Sequence, residues 1–327
     1  MNDPKDRLLF IAPAFMSYEK VIIEALSTKY NVTYLDSEQV LQPVRKKYKS
    51  FPFVFRALLK FEHHFRTQIR EKMLKKYMLH INGFQKNIEQ IQDTDFSLIL
   101  IINGDGLPSS TLVDLRNSHP NTRMVLYLWD DYNLLFKTNH ISIFDEVYSF
   151  NLLDCKRFGF ILQSMFTPPN QLMYKDNYEK KYDICMIGSA TPERVNFIKK
   201  LKSRYNNTYS FYIYLYYKDD NAFDIETHNK PLNFEEYMQV LSESRCLFEI
   251  VRSHQKGPTT RVNDCKFVKT KIITTNNNKE CYAGNGNNIC FLDDEMIIPE
   301  EFVKSPYDTN VNCGVTIDSW ISSLLEG

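Results

Sequence analysis

The chain has 327 residues, enough for two domains of about 150 residues, each with its own core. Its 40 basic and 40 acidic residues balance, which excludes a general electrostatic pull toward nucleic acid, and 43% hydrophobic content is that of a globular protein. Seven scattered cysteines, with no C-x-x-C pair, argue against a disulfide framework or a zinc site and for reduced thiols in a cytoplasmic protein.

The opening "MNDPKDRLLF" carries acids and no long apolar region, so it does not read as a signal peptide. "RLLFIAPAF" (7–15) predicts a buried strand. "SYEKVIIEALSTKY" predicts a helix with Ser17 as N-cap, and "NVTYLDS" a second strand, a βαβ start that implies a parallel sheet. "FSLILII" (96–102), "RMVLYLW" (123–129) and "FDEVYSF" (144–150) are further strands, the first running into the turn "NGDGLP" and the second into "DDYN". Asp154 reads as a helix N-cap in "NLLDCKRFG". All the apolar runs are too short to span a bilayer. "MFTPPNQLMYKDNYEKKYD" (165–183), rich in proline and charge, predicts an interdomain linker.

The α/β pattern then restarts. "DICMIGS" is a strand and turn. "TPERVNFIKKLKSRY" is a helix with Thr191 at the N-cap, Pro192 at the first position and Glu193 complementing the dipole. "SFYIYLYY", "CLFEIV", "KIITT" and "NICFLD" are strands, "NFEEYMQVLSES" a helix and "TIDSWISSLLEG" a terminal helix. The expected organisation is a domain at 1–170 carrying a basic helical insertion at 45–80, and a second at 171–327 whose last helix, 316–326, packs back on the first. Two α/β halves of comparable size imply Rossmann-like domains facing across a cleft.

Between "CLFEIV" and "KIITT" lies "GPTTRVND" (257–264). In open parallel sheets, ligands bind at the carboxyl ends of strands. Gly257 and Pro258 make a tight turn there, Thr259 or Thr260 caps a helix or donates to a phosphate, and Arg261 offers a planar fork for a diphosphate. Asp264, three residues on, shares the helix face of Arg261 and could accept from ribose hydroxyls. The alternative is a capped helix with a surface Arg–Asp pair.

"YDICMIGSATPER", "GPTTRVND" and "KIITTN" together resemble the donor domain of GT-B glycosyltransferases. The likeness is to bacterial lipopolysaccharide and capsule enzymes and to the spore-maturation CgeB-like group. It covers about half the chain; the N-terminal half matches only loosely, through "LYLWDD" and "FDEVYSFNLLDCKRFG". The resemblance implies a nucleotide-sugar donor, a glycan or lipid-linked acceptor hydroxyl, no cofactor and no metal. It implies a ribose role for Asp264 and a donor-phosphate turn at Gly188 and Ser189 with Arg194 nearby. The small-residue strand end at Thr275 and Asn276 completes the pattern. Many retaining members carry a second acid eight positions before the ribose acid; here Lys256 stands there, which favours inversion, and Asp264 replaces the commoner Glu.

Inversion needs a general base. Asp105 in "NGDG" and Asp130 and Asp131 in "WDDY" follow buried strands, although Asp also favours such corners as plain turn chemistry. Tyr18 and Glu19 are further acceptor-side candidates, and His254 could touch the donor. "DTD" (93–95) precedes a strand and is read as a loop, and "GNGNN" lacks the context of a dinucleotide fingerprint. The adjacent histidines of "EHHF" (62–65) point to different sides of a helix, and no His–Asn pattern in the sequence supports Cys265 or Cys281 as a thiol nucleophile. Other readings of the chain are a non-catalytic nucleotide-sugar binder and an epimerase or phosphorylase of related fold.

Residues 45–80 hold 11 Lys or Arg against two Glu. Apolar residues recur at Phe51, Phe55, Leu58, Phe61, Phe65, Ile69 and Met73. A basic helix with such a stripe predicts peripheral docking on an anionic membrane; the alternative is a stripe packed on the domain's own sheet.

Overall fold

The computed structural model describes residues 5–61, 63–81, 84–132, 141–175, 177–218, 223–251, 256–293 and 295–326. The chain forms two compact units. The first comprises Met1–Phe150, Asp154–Gln163 and Ile317–Gly327; the second comprises Asn151–Leu153 and Ser164–Thr316.

The first unit contains β1 (Arg7–Ala12), α1 (Tyr18–Ser27), β2 (Asn31–Asp36), α2 (Glu38–Lys49), α3 (Phe53–Phe61), α4 (His63–His80) and α5 (Phe84–Gln92). Next come β3 (Leu98–Ile102), α6 (Ser109–Ser118), β4 (Arg123–Leu128), β5 (Glu146–Ser149), α7 (Leu152–Phe158) and β6 (Ile161–Leu162). All strand pairs are parallel, in the order β2-β1-β3-β4-β5-β6. The central strands are continuous apolar runs because helices cover both faces: every residue of β3 is buried, as are all but the first of β1 and β4. The edge strand β2 instead mixes exposed and half-buried positions. The C-terminal helix, Ile317–Leu325, belongs to this unit. Its Trp320 is fully buried, edge-on to Tyr127 with ring centroids 4.8 Å apart, and Arg123 Nη1 donates to Leu325 O at 2.9 Å.

Two expected caps are built differently. Ser17 has a left-handed backbone and makes no side-chain cap; the Phe15 N–H donates to Glu19 instead (3.1 Å). Asp154 lies inside α7, where its carboxylate accepts from the Tyr132 N–H (2.7 Å), and the Asn151 side chain accepts from the Leu153 N–H (2.9 Å) in its place.

The basic insertion is not one helix. α2 ends at Lys49 with Ser50 as its C-cap, Pro52 follows two residues on, and α3 starts anew at Phe53. On α4 the apolar residues turn inward: Leu74 and Met78 are buried in the unit's core, and Met73 and Tyr77 pack against it. On α3, Phe53, Val54 and Leu58 stay exposed. The side chains of Phe61 and Phe65, and of the "EHHF" histidines, lie outside the described residues, as does Glu62.

The second unit contains β7 (Tyr182–Ser189), α8 (Pro192–Tyr205), β8 (Phe211–Tyr216), α9 (Phe234–Ser242), β9 (Ser244–Glu249), α10 (Arg261–Phe267), β10 (Lys271–Thr274), β11 (Ile289–Phe291) and α11 (Glu300–Lys304). Its strands are parallel in the order β11-β10-β9-β7-β8. Thr191 caps α8, accepting from the Arg194 N–H, with Pro192 at the first helical position. α9 carries a full capping box between Asn233 and Glu236. The stretch expected to be a linker is part of this unit: Met165, Phe166 and Leu172 are buried, and Thr167 is fully so.

Candidate functional site

In each unit the polar residues of interest gather at the carboxyl ends of the parallel strands, where strand-to-helix turns leave backbone and side chains open to ligands.

In the second unit, β7 ends at Gly188 and Ser189. A Cβ on Gly188 would sit 3.0 Å from Arg194 Nη1 and 3.7 Å from Arg261 Nη2, so two guanidinium groups converge on this glycine. Arg194 donates to the carbonyls of Ser189 and Ile250. That pair of forks, one from α8 and one from the start of α10, is suited to a diphosphate.

The "GPTT" turn is held by a residue that the motif reading passed over. Glu249, the last residue of β9, is fully buried. Its Oε1 accepts from Thr259 N (2.8 Å) and Thr259 Oγ1 (2.6 Å), and its Oε2 from Thr274 Oγ1 (2.7 Å) and Tyr282 Oη (2.5 Å). A buried carboxylate survives only when so satisfied. The Asn276 side chain donates to the carbonyls of Lys256 (3.1 Å) and Gly257 (3.4 Å), and the Asn278 side chain to Lys256 (3.2 Å). Thr259 and Asn276 therefore fasten the turn from within, while Thr260 and Ser189 are exposed beside it and Pro258 is half-buried. Thr275 Oγ1 accepts from the Val251 N–H (3.2 Å). His254 lies outside the described residues.

Asp264 departs from its expected role. It is 2% exposed, and both carboxylate oxygens are engaged inside the unit: Oδ1 accepts from Thr167 Oγ1 (2.8 Å) and Oδ2 from Tyr237 Oη (2.9 Å). The Asn263 side chain in turn donates to Thr167 Oγ1 (2.7 Å). The physical reason is that α10 is enclosed on all sides. Val262, Asn263, Asp264 and Cys265, which span a whole turn of α10, are all buried, so Asp264 and Arg261 do not present one open face.

Burial pushes the Asp264 carboxyl up to about 6, against the lowering influence of the Thr167 and Tyr237 hydroxyls and of Arg261. A raised folded value makes this group's contribution to stability full below the unfolded value near 4, and lost as pH rises through about 6. The Asp264→Asn variant keeps the shape and removes that loss. Denaturant unfolding at pH 4 and pH 7 should show the variant gaining on the wild type by on the order of 1–3 kcal/mol at the higher pH. Identical pH dependence in the two proteins would refute this.

In the first unit the turn "NGDG" follows β3. Asn103 and Gly104 both have left-handed backbones, φ 57° and 69°. Gly106 is required by close approach: a Cβ there would lie 2.4 Å from that of Ser37, at the β2–α2 corner. α4 braces this loop. Arg70, 5% exposed, donates from Nη2 to Asp105 O (2.5 Å) and to Asp105 Oδ2 (3.3 Å), and Glu71 accepts from Ser109 N and Oγ at the start of α6.

The three candidate bases thus differ. Asp105 is ion-paired to Arg70, and Asp131 is 3% exposed. Asp130 is exposed as a residue, yet its carboxyl sits among enough protein to be desolvated. That desolvation raises its pKa; the hydrogen bond from Asn103 Nδ2 (2.9 Å) lowers it, and Asp105 and Asp131 raise it again. A carboxylate with a raised pKa and an open approach has the properties of a general base. Glu19 is buried and committed to the Phe15 N–H. Among the described residues no cluster of three or more His, Cys, Asp or Glu could hold a metal ion, and no helix is long and apolar enough to cross a membrane.

Two parallel α/β units of this kind, each with its polar turns at the strand carboxyl ends, define the GT-B fold. Solved structures of the same fold span the full chain. UDP-GlcNAc 2-epimerase from Neisseria meningitidis, bound to UDP-GlcNAc, has a TM-score of 0.54 at 10% identity, over 98% of this chain and 100% of that one. The UDP-forming α,α-trehalose-phosphate synthase from Burkholderia xenovorans, in complex with glucose-6-phosphate, has 0.54 at 10% identity, over 98% and 99%. The Methanocaldococcus jannaschii UDP-GlcNAc 2-epimerase, in complex with UDP-GlcNAc and UDP, has 0.52 at 10% identity, over 98% and 100%. At such identity the likeness is one of fold. No family model matches the chain, and no curated protein does.

Proposed function

We propose that the chain is a nucleotide-sugar-dependent glycosyltransferase. The observation that carries this reading is the convergence of the Arg194 and Arg261 guanidinium groups on Gly188, beside a turn held by Glu249. The second unit binds the donor through its diphosphate; the first supplies the base. Asp130 takes the proton of an acceptor hydroxyl, whose oxygen forms a bond to the anomeric carbon. The bond from that carbon to the diphosphate breaks, and its electron pair leaves on the nucleoside diphosphate. Attack opposite the leaving group inverts the anomeric centre. The two arginines offset the charge on the leaving group, so a divalent cation is not required. The acceptor is a glycan or lipid-linked hydroxyl of a bacterial surface polysaccharide.

A thermal-shift screen with UDP-, GDP-, CMP- and dTDP-sugars tests the reading. One nucleotide class should raise the melting temperature, since a ligand binding only the folded state stabilises it. With that donor and a panel of acceptors, a glycosylated product should form in the presence of EDTA. Stabilisation by none of the four classes, or turnover lost in EDTA and restored by magnesium or manganese, would contradict it.

A second reading, a sugar-nucleotide epimerase, is favoured by the fold likeness to the two UDP-GlcNAc 2-epimerases. It needs no acceptor, so an altered nucleotide sugar formed in the donor-only reaction identifies it.

The end of α2 and the surface of α3 support peripheral docking on an anionic membrane, the place of a lipid-linked acceptor. Lys46, Lys47 and Lys49 are exposed beside the exposed Phe53, Val54 and Leu58. Each basic side chain near such a surface contributes about 1 kcal/mol, and the apolar residues enter the acyl boundary. Cosedimentation with phosphatidylserine vesicles is expected at low salt, falling in high salt and in a Phe53→Glu, Leu58→Glu variant. Binding to neutral vesicles with equal strength would contradict it.

A further inference from the structure

We infer that Asn103 is a positioning residue for the base: a left-handed backbone at the end of β3 aims its amide so that it fixes the Asp130 carboxylate. The inference rests on the reading of Asp130 as the base.

Asn103 is 6% exposed and sits at φ 57°, a region most side chains avoid and asparagine tolerates. Its backbone N–H donates to Tyr127 O (2.8 Å) on β4. Its side-chain Oδ1 accepts from the Trp129 N–H (3.0 Å), and its Nδ2 donates to Asp130 Oδ2 (2.9 Å). These bonds settle the orientation of the amide. The Trp129 N–H can only donate, so the amide oxygen must face it, and the NH₂ must face Asp130. The three bonds tie the end of β3 to the end of β4, just where Asp130 leaves the sheet.

The residue type shows that the amide is there for Asp130. Aspartate at 103 would suit the left-handed backbone and the Trp129 bond equally well. It would, however, set a second carboxylate against Asp130. Only asparagine meets all three demands with a donor toward the base. The other charged groups acting on Asp130 are Asp105 from the β3–α6 loop, the adjacent Asp131, and Arg45 from α2. The two aspartates disfavour its ionised form. The Asn103 amide and Arg45, itself paired to Glu38 at 2.5 Å, oppose them. Losing the amide donor must therefore raise the pH at which Asp130 ionises.

The test is the carbon-13 NMR titration of the Asp130 carboxyl in the ligand-free protein, for the wild type, Asn103→Gly and Asn103→Asp. Glycine keeps the left-handed backbone without steric cost, so the titration stands on that variant if aspartate impairs folding. The midpoint should rise in both variants, more in Asn103→Asp. The acid limb of kcat/KM, measured with the nucleotide sugar selected by the thermal-shift screen, should rise by the same amount. Donor affinity should stay unchanged. Each unit of displacement lowers activity on that limb about tenfold. An unmoved midpoint, with Asp130→Asn still inactive, overturns the role of Asn103 alone. A midpoint that moves while the acid limb stays overturns Asp130 as the base, and the positioning role with it.

Discussion

The Asp130→Asn substitution should lower turnover by a factor on the order of 10²–10⁴ and leave nucleotide-sugar affinity nearly unchanged. In the proposed mechanism the amide cannot take a proton from the acceptor hydroxyl, while donor binding is assigned to the other unit. Asp130 stands ahead of its two neighbours for separate reasons. Asp105 is held by the buried Arg70, which donates to both its carbonyl and its carboxylate and so ties the side chain to α4. Asp131 is buried. Desolvation and two flanking carboxylates raise the pKa of Asp130, the direction a general base needs. The sign follows directly. A base works deprotonated, so kcat/KM should fall as pH drops through a value above the usual aspartate value of about 4. Steady-state kinetics of Asp105→Asn, Asp130→Asn and Asp131→Asn across pH would decide. Full turnover in Asp130→Asn would remove it from the mechanism.

Removing the two guanidinium groups should be the second large effect. Arg194→Ala and Arg261→Ala should each weaken donor binding by about 10- to 100-fold, the worth of a charge-assisted hydrogen bond of about 1.5–3 kcal/mol. The loss should extend to the free nucleoside diphosphate but not to the nucleoside, because the proposal assigns the arginines to the phosphates alone. Lysine at either position should restore part of the affinity, since it keeps the charge and lacks the planar fork. Gly188→Ala should mimic part of the loss without touching a charge, because the added methyl would sit 3.0 Å from Arg194 Nη1. Calorimetric titration separates these cases. Unchanged nucleoside diphosphate affinity in both alanine variants would sink the assignment of this turn to the donor.

Much of the architecture was legible in the sequence because it is written in local patterns. Continuous apolar runs such as "LILII" and "RMVLYL" belong to strands buried on both faces, and amphipathic stretches between them to crossover helices. The cap at Thr191 with Pro192 after it was equally plain, since its chemistry spans four residues. Ser17 met the same rule and did not cap, because a left-handed backbone at the corner handed the work to Glu19. Glu249 was present in "CLFEIV" as an acid ending an apolar strand. That signal was readable, but its four partners come from three segments up to 33 residues away.

By itself the sequence determined the two parallel α/β units, their strands apart from the two-residue β6, and the carboxyl-end turns at "IGSATPER", "GPTTRVND", "NGDG" and "WDDY", for periodicity and turn chemistry are properties of neighbouring residues. Which acids at those turns are open to a ligand was decided only by the tertiary structure. Asp264 looked like a surface ligand until the packing around all sides of α10 set it against Thr167 and Tyr237, 97 and 27 residues away in the chain. Asp105 and Asp130 looked equivalent until Arg70, from a helix inserted between β2 and β3, paired with one, and Asn103 turned its amide toward the other. The ionisation of a carboxylate depends on every charge and dipole within a few ångströms and on the water excluded around it, and both are set by the packing of distant segments.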